Sequence, residues 1–217
     1  AWRYEPSGRT EVGGDFYDIL PLEDGRLLVA LGDVAGKGSP AALLMALLLA
    51  MLRTLVDEGL ESTRLIARLN VQICKHSPGS RFITFFYGLY NPADGSLEYV
   101  NAGHLPPMVR RTTGEIERLE GGGMALGMFE NATYESRRAT VGIGDALVLY
   151  TDGITEAEDR NGVAFEDEAL EAVLRDRQAE SDPEVLARAI ISAVESHAGD
   201  LRLADDLTVA ILTRTNS

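Results

Sequence analysis

The sequence predicts an α+β fold in which antiparallel sheets are covered by helices. Three observations carry this. Short apolar runs of strand length come in pairs joined by tight turns containing glycine. Stretches with helical periodicity fall into two groups, 39–76 and 167–197, and do not alternate one by one with strands. The 217 residues contain no internal repeat, linker or low-complexity tract, so one domain over 1–217 is the expectation.

Residues from about 2 to 33 read as strands. FYDILPL and RLLVALG flank Glu23-Asp24-Gly25, a hairpin signal because Asp and Gly tolerate the backbone a tight turn needs. Two helices follow. The first, about Ser39–Val56, is apolar nearly all round, which predicts burial on several sides. Its apolar run Pro40–Leu52 is too short to span a bilayer and is closed by Arg53, so no membrane insertion is expected. The second helix, about Thr63–His76, sets Leu65, Ile66, Leu69 and Ile73 on one face.

Strands return in RFITFFYGLY and SLEYVNAG, joined by 91–95, and in PMVRR and EIERLE, joined by Thr112-Thr113-Gly114. Further strands are expected near Thr133–Thr140 and Ala146–Thr151. Helices follow at about Asp167–Arg175 and Pro183–His197, the latter with Asp182 as N-cap and Pro183 in its first turn. LTVAIL is the last strand.

Composition narrows the function. Lys+Arg 20 against Asp+Glu 34 gives a net charge of −14, and no basic cluster is present, so a nucleic acid partner is not expected. Phosphate chemistry stays open if bound cations reverse the local field. The one cysteine, Cys74, fits a reducing, cytoplasmic setting. The first residues already read as folded sequence, so the expectation is a catalytic part excised from a longer regulatory protein.

Four aspartates sit at the ends of apolar strands: Asp15 and Asp205 at their starts, Asp33 and Asp152 at their finishes. Asp24, at the centre of the first turn, is the midpoint of positions 15 and 33. Asp15 and Asp33 should therefore face each other across adjacent antiparallel strands. If the other two strands run in matching senses, all four carboxylates meet at one sheet edge. Such a cluster repels itself unless divalent cations neutralise it, and oxygen donors select Mg²⁺ or Mn²⁺. Glycines beside the aspartates (Gly13, Gly14, Gly32, Gly36, Gly153) allow close approach of backbone and ions. A single Asp-Gly pair is most often only a turn, and the argument rests on the four together.

At these residues the chain resembles the PPM/PP2C superfamily, in particular its bacterial branch of sporulation and stress-response phosphatases, the SpoIIE/RsbU type. The matching segments are EVGGDFYD (Glu11–Asp18), GDVAGKG (Gly32–Gly38), TFFYG (Thr84–Gly88), NAGHLPP (Asn101–Pro107), LYTDGITEA (Leu149–Ala157) and DDLTVAIL (Asp205–Leu212). The resemblance implies a four-layer α-β-β-α sandwich of two antiparallel sheets between helix pairs. It implies two Mn²⁺ or Mg²⁺ ions. Asp33 would bridge them, with the Val34 carbonyl adding a ligand. Asp152 and Asp205 would hold one ion and Asp15 the other, directly or through water. Asp18 fits a supporting position, and Asp206 competes with Asp205. The implied reaction is hydrolysis of a phosphoserine or phosphothreonine by a metal-bridging hydroxide, on a regulatory protein such as an anti-sigma-factor antagonist. An upstream sensor domain or a homodimer would fit the same resemblance, with the first two helices as a regulatory element.

The chain departs from the eukaryotic members. Ala35 stands where they carry a histidine after the bridging aspartate. Their phosphate-binding arginine has no clear counterpart beyond Arg9. His104 reads as a hydrogen-bonded turn residue before it reads as a catalytic acid. Lys37 is not in a nucleotide loop, because Gly32 to Gly36 leaves three intervening residues where four are needed. Cys74 reads as a structural thiol. A catalytically weak domain that binds a phosphoprotein is the alternative, and retention of all four aspartates argues against it. A nucleotide cyclase, suggested by GGDFYD, leaves GDVAGKG and LYTDGITEA unexplained.

Overall fold

A computed structural model describes residues 2–5, 13–77, 81–201 and 203–215. Arg9 and Glu11, singled out above, lie outside these described residues. The chain divides into two compact units. One comprises Thr10–His104 and Glu120–Thr140, the other Ala1–Arg9, Leu105–Leu119 and Val141–Ser217. Each has its own antiparallel sheet, helices and core, as the α+β reading requires.

The first unit contains β2 (Asp15–Pro21), β3 (Leu27–Val34), α1 (Ser39–Asp57), α2 (Ser62–His76), β4 (Ile83–Tyr90), β5 (Ser96–Ala102) and β8 (Arg137–Thr140). Its strands lie in the order β2-β3-β4-β5-β8, every neighbour antiparallel. The β2–β3 turn closes with a Gly25 N–H to Leu22 carbonyl bond of 3.0 Å, and Gly25 sits at φ 85°, a left-handed conformation that costs glycine little. Alternation along the strands turns Phe16, Leu28, Ala30, Val34, Ile83, Phe85, Tyr87, Val100 and Ala102 to one face. That face packs in a single cluster with Leu44, Leu48 and Leu52 of α1 and Leu65, Ile66, Leu69 and Ile73 of α2.

Helix α2 buries the predicted face. Helix α1 differs from expectation. Only Ala41, Leu44, Leu48, Leu52 and Leu55 are buried, while Leu43 is 72% exposed. Its all-round apolar composition overstated its burial, because one side of a helix suffices to cover a sheet. By length and composition alone α1 could cross a membrane. In the fold its buried stripe belongs to the core of this unit.

The second unit contains β1 (Trp2–Glu5), β6 (Met108–Arg110), β7 (Ile116–Arg118), β9 (Ala146–Tyr150), α3 (Asp152–Thr155), α4 (Glu166–Asp176), α5 (Pro183–Ala198) and β10 (Leu207–Thr213). The strand order is β1-β10-β9-β6-β7, again antiparallel throughout. Val148, Tyr150, Val209 and Ile211 pack against Leu170 and Leu174 of α4 and Leu186, Ile190 and Val194 of α5. Asp182 caps α5 as predicted, accepting the Glu184 N–H at 2.8 Å. The helical turn α3 was not foreseen, since four residues are too few to show a period.

Two polar devices tie α4 to the sheet. Arg118 of β7 bonds Asp167 at 2.6 Å and Glu171 at 2.7 Å, and the Tyr150 hydroxyl donates to Asp167 at 2.9 Å. Arg110 of β6 is fully buried and donates to the carbonyls of Arg177 and Glu180, just beyond the C-terminus of α4, and to that of Gly144. The buried guanidinium thus satisfies carbonyls of the loops around it.

Candidate metal centre

In the first unit, Asp15 and Asp33 are direct cross-strand partners, as the hairpin midpoint predicts. Directly opposed side chains in an antiparallel pair are neighbours on one face. Thr84 of β4 is in turn the partner of Asp33, so Asp15, Asp33 and Thr84 form a row across three strands. All three are half-buried. Their chain neighbours Phe16, Val34, Ile83 and Phe85 point the other way, into the helix-covered core. Val34 as a whole is 1% exposed and its side chain belongs to the core, so its backbone carbonyl is the group it could offer a cation.

Gly14 shows how tightly this corner is built. A Cβ placed on it would lie 2.3 Å from Asp33 Oδ1, 2.6 Å from the Val34 carbonyl oxygen and 3.4 Å from that of Gly36. Three oxygens thus surround a space that only glycine leaves open. The Val34 N–H also donates to the Gly14 carbonyl at 3.1 Å. A carboxylate and backbone carbonyls converging in this way are the donor set that hard divalent cations take.

Asp18 is a correction. It sits three residues after Asp15, hence on the opposite face of β2. There it is buried and bonded by Arg53 of α1 at 2.9 and 3.0 Å. It clamps the helix to the sheet and does not support the Asp15 side.

His104 follows β5. Its N–H and carbonyl are both held by the Asn101 side chain, at 2.8 and 3.0 Å. Its Nδ1 lies 2.9 Å from Thr84 Oγ1. The reading as a hydrogen-bonded turn histidine therefore describes its backbone. Its ring meets the threonine that flanks Asp33, a contact no spacing in the chain announces.

Arg81, read from the sequence only as the first residue of the RFITFFYGLY strand, precedes β4. Its Nη1 donates to the Ala35 carbonyl at 3.1 Å. Its backbone carbonyl accepts from Ser77 Oγ at 2.8 Å. Cys74 is half-buried, and its pKa is raised by burial and by the nearby Glu130, which disfavours the thiolate.

In the second unit, Asp152 opens α3 directly after β9, and Asp205 precedes β10, the neighbour of β9. The Thr151 N–H reaches the Thr208 carbonyl at 3.1 Å. A Cβ on Gly153 would lie 2.0 Å from the Asp206 carbonyl oxygen and 3.6 Å from Asp205 Cβ, so the Asp152-Gly153 turn rests on the 205–206 backbone. Asp206 is buried at 5% exposure, whereas Asp205 is half-exposed and accepts the Asp206 N–H at 2.9 Å. Of the two alternatives, Asp205 has the more accessible side chain. Within each unit, among the described residues, no three His, Cys, Asp or Glu side chains gather into a metal-binding group of their own.

Two antiparallel five-stranded sheets, paired helices and strand-end aspartates define a phosphatase fold of the PPM/PP2C type. Solved structures agree. SpoIIE from Bacillus subtilis, as its PP2C phosphatase domain with a fragment of its regulatory domain, matches in fold with a TM-score of 0.87 at 18% identity over 100% of this chain and 61% of that one. The RsbU and RsbW domains of Rv1364c from Mycobacterium tuberculosis match with a TM-score of 0.81 at 27% identity, over 99% of this chain and 59% of that one. The family model for stage II sporulation protein E (SpoIIE) matches residues 23–215, and the chain belongs to this family. Among curated relatives it is 29% identical over 205 residues to the phosphoserine phosphatase RsbU of Bacillus subtilis, covering 94% of this chain. The chain spans 60% of the length of that relative.

Proposed function

We propose that this chain is a metal-dependent protein serine/threonine phosphatase domain. Its substrate would be a phosphoserine or phosphothreonine on a regulatory protein of the anti-sigma-factor-antagonist kind, in a cytoplasmic setting. The observation that carries the reading is the Asp15–Asp33 cross-strand pair with the Val34 carbonyl packed beside it around Gly14. The name of RsbU, a phosphoserine phosphatase, supports the reaction class.

In this reading Asp15, Asp33, the Val34 carbonyl, Asp152 and Asp205 are the residues that would hold two Mn²⁺ or Mg²⁺ ions. Such ions, when bound, supply charge against the phosphoryl oxygens and lower the pKa of a water nucleophile. The protein's own part is placement. The β2–β3 ladder fixes the spacing of Asp15 and Asp33, and Gly14 leaves room for the Asp33 carboxylate and the Val34 carbonyl. The Asp152-Gly153 turn and the start of β10 set the second pair. The half-buried, high-pKa thiol of Cys74 does not suit a covalent phosphoenzyme route.

The test is release of phosphate from a phosphoserine peptide with Mn²⁺. We expect dependence on the metal, loss with EDTA, and a loss of about 10²–10³-fold for Asp33→Ala and for Asp152→Ala, the scale of a group acting on transition-state charge. Calorimetric Mn²⁺ titration of the same variants reads metal binding directly. Turnover that survives EDTA and both substitutions would remove the reading. Metal binding without turnover would favour a phosphoprotein-binding domain instead.

A further inference from the structure

We infer that Arg81 is a phosphate-binding residue that receives the phosphoryl oxygens of the substrate beside the Asp33 corner. The inference deepens the phosphatase reading and rests on it for the identity of the ligand.

The placement comes from the sheet. Val34 pairs with Ile83 at the end of the β3–β4 ladder, and the Ala35 N–H continues it by donating to the Phe82 carbonyl at 2.9 Å. Arg81 is therefore beside the loop that leaves Asp33 and Val34. Its side chain folds onto that loop and does not turn away from it: Nη1 donates to the Ala35 carbonyl at 3.1 Å. The same nitrogen is 2.3 Å from where a Cβ on Gly36 would stand, and Gly36 has φ 94°. Glycine at 36 thus gives the backbone its left-handed turn and leaves room for the guanidinium. Ser77 Oγ anchors the Arg81 carbonyl at 2.8 Å, tying this residue to the end of α2.

The charge of Arg81 is the second argument. In a chain of net charge −14, several other partly or fully buried arginines are engaged by the fold. Arg111 pairs with Asp145 and Glu117, and Arg118 with Asp167 and Glu171. Arg110 donates from Nη1 and Nη2 to three carbonyls, while its Nε has no partner among the described residues. Among the described residues the Arg81 side chain makes one hydrogen bond, to a neutral carbonyl, and no carboxylate pairs with it. A guanidinium carries five N–H donors in a planar fork that matches phosphate, so most of its donors remain for a ligand. Arg81 is half-buried, which reduces screening without closing it to a substrate. One carbonyl contact orients the fork in advance, and pre-organised donors lose less on binding.

The experiment compares wild type with Arg81→Gln and Arg81→Lys, and with Arg188→Gln at an exposed position of α5 as a control for net charge. Orthophosphate is the probe, measured by calorimetry with Mn²⁺ present and as a competitive inhibitor of phosphoserine-peptide hydrolysis. For Arg81→Gln we expect orthophosphate to bind about tenfold more weakly or worse, and the peptide KM to rise, as when a charge-assisted bond is lost. Mn²⁺ affinity should stay within about threefold, Arg81→Lys should recover part of the loss, and the control should match wild type. Unchanged orthophosphate binding in Arg81→Gln, or no orthophosphate binding by wild type, overturns the inference. So does a parallel loss of Mn²⁺ affinity, which would mean that Arg81 only shapes the loop. Wild-type turnover is read separately. Its absence, with Arg81-dependent orthophosphate binding intact, would count against the phosphatase reading and leave this site standing.

Discussion

Gly14→Ala adds one methyl group at the corner where Asp33 Oδ1 and the Val34 carbonyl oxygen approach. The new Cβ would start 2.3 Å from the carboxylate oxygen and 2.6 Å from the carbonyl oxygen. Ordinary carbon contacts need about 3.5 Å, so the carboxylate must retreat by roughly 1 Å. The Val34 carbonyl is backbone and cannot swing away alone, because its residue is held by the β3–β4 ladder and by the Val34 N–H bond to Gly14. A misplacement of about 1 Å at a reacting centre can cost about 10²-fold in rate. Overpacking itself costs on the order of 1–3 kcal/mol of stability. The assay is Mn²⁺-dependent hydrolysis of a phosphoserine peptide, with Mn²⁺ titration and a urea melt of the metal-free protein. We expect kcat to fall by roughly 10²-fold and Mn²⁺ to bind more weakly, in a protein that still folds cooperatively. An alanine variant with wild-type kcat and Mn²⁺ affinity would refute the view that Asp33 and Val34 need that gap.

Further outcomes concern stability. Leu48→Ala in α1 removes a side chain with 0% exposure from the core of its unit, and should cost about 2–5 kcal/mol in a urea melt. Leu43→Ala, on the exposed side of the same helix, should stay within about 0.5 kcal/mol. Burial pushes the Glu171 carboxyl up, but hydrogen bonds from Arg118 and Arg175 outweigh it and hold the pKa below its ordinary value. A depressed folded-state pKa stabilises above the unfolded value of about 4.3 and loses that contribution as pH falls through the folded value. Glu171→Gln should therefore be less stable than wild type at pH 7, with the gap closing in melts taken below the carboxylate range. A gap that persists unchanged in acid would show that the ion pair is not its source.

The parts of the fold legible in the sequence are those governed by neighbours along the chain. Asp24-Gly25 set the turn, and counting outward from it gave the Asp15–Asp33 pairing. The capped start of α5 and the buried face of α2 followed from residue type and period. Where composition was read without period, it misled: α1 is apolar nearly all round yet buries one stripe. Asp18 belonged to the right motif but to the wrong face, which the two-residue period of a strand could have told.

The identity and order of the strand-end aspartates, and the glycines beside them, were determined by the sequence alone, because chain direction and local backbone preference act at short range. Tertiary structure decided what stands around Asp33. Thr84 reaches it by strand pairing, His104 meets Thr84 from 20 residues further on, and Arg81 touches Ala35 across 46 residues. Such contacts depend on how strands align and on which side chains then find room. No local pattern encodes that, since the same residues at the same spacing could be brought elsewhere by a different sheet order.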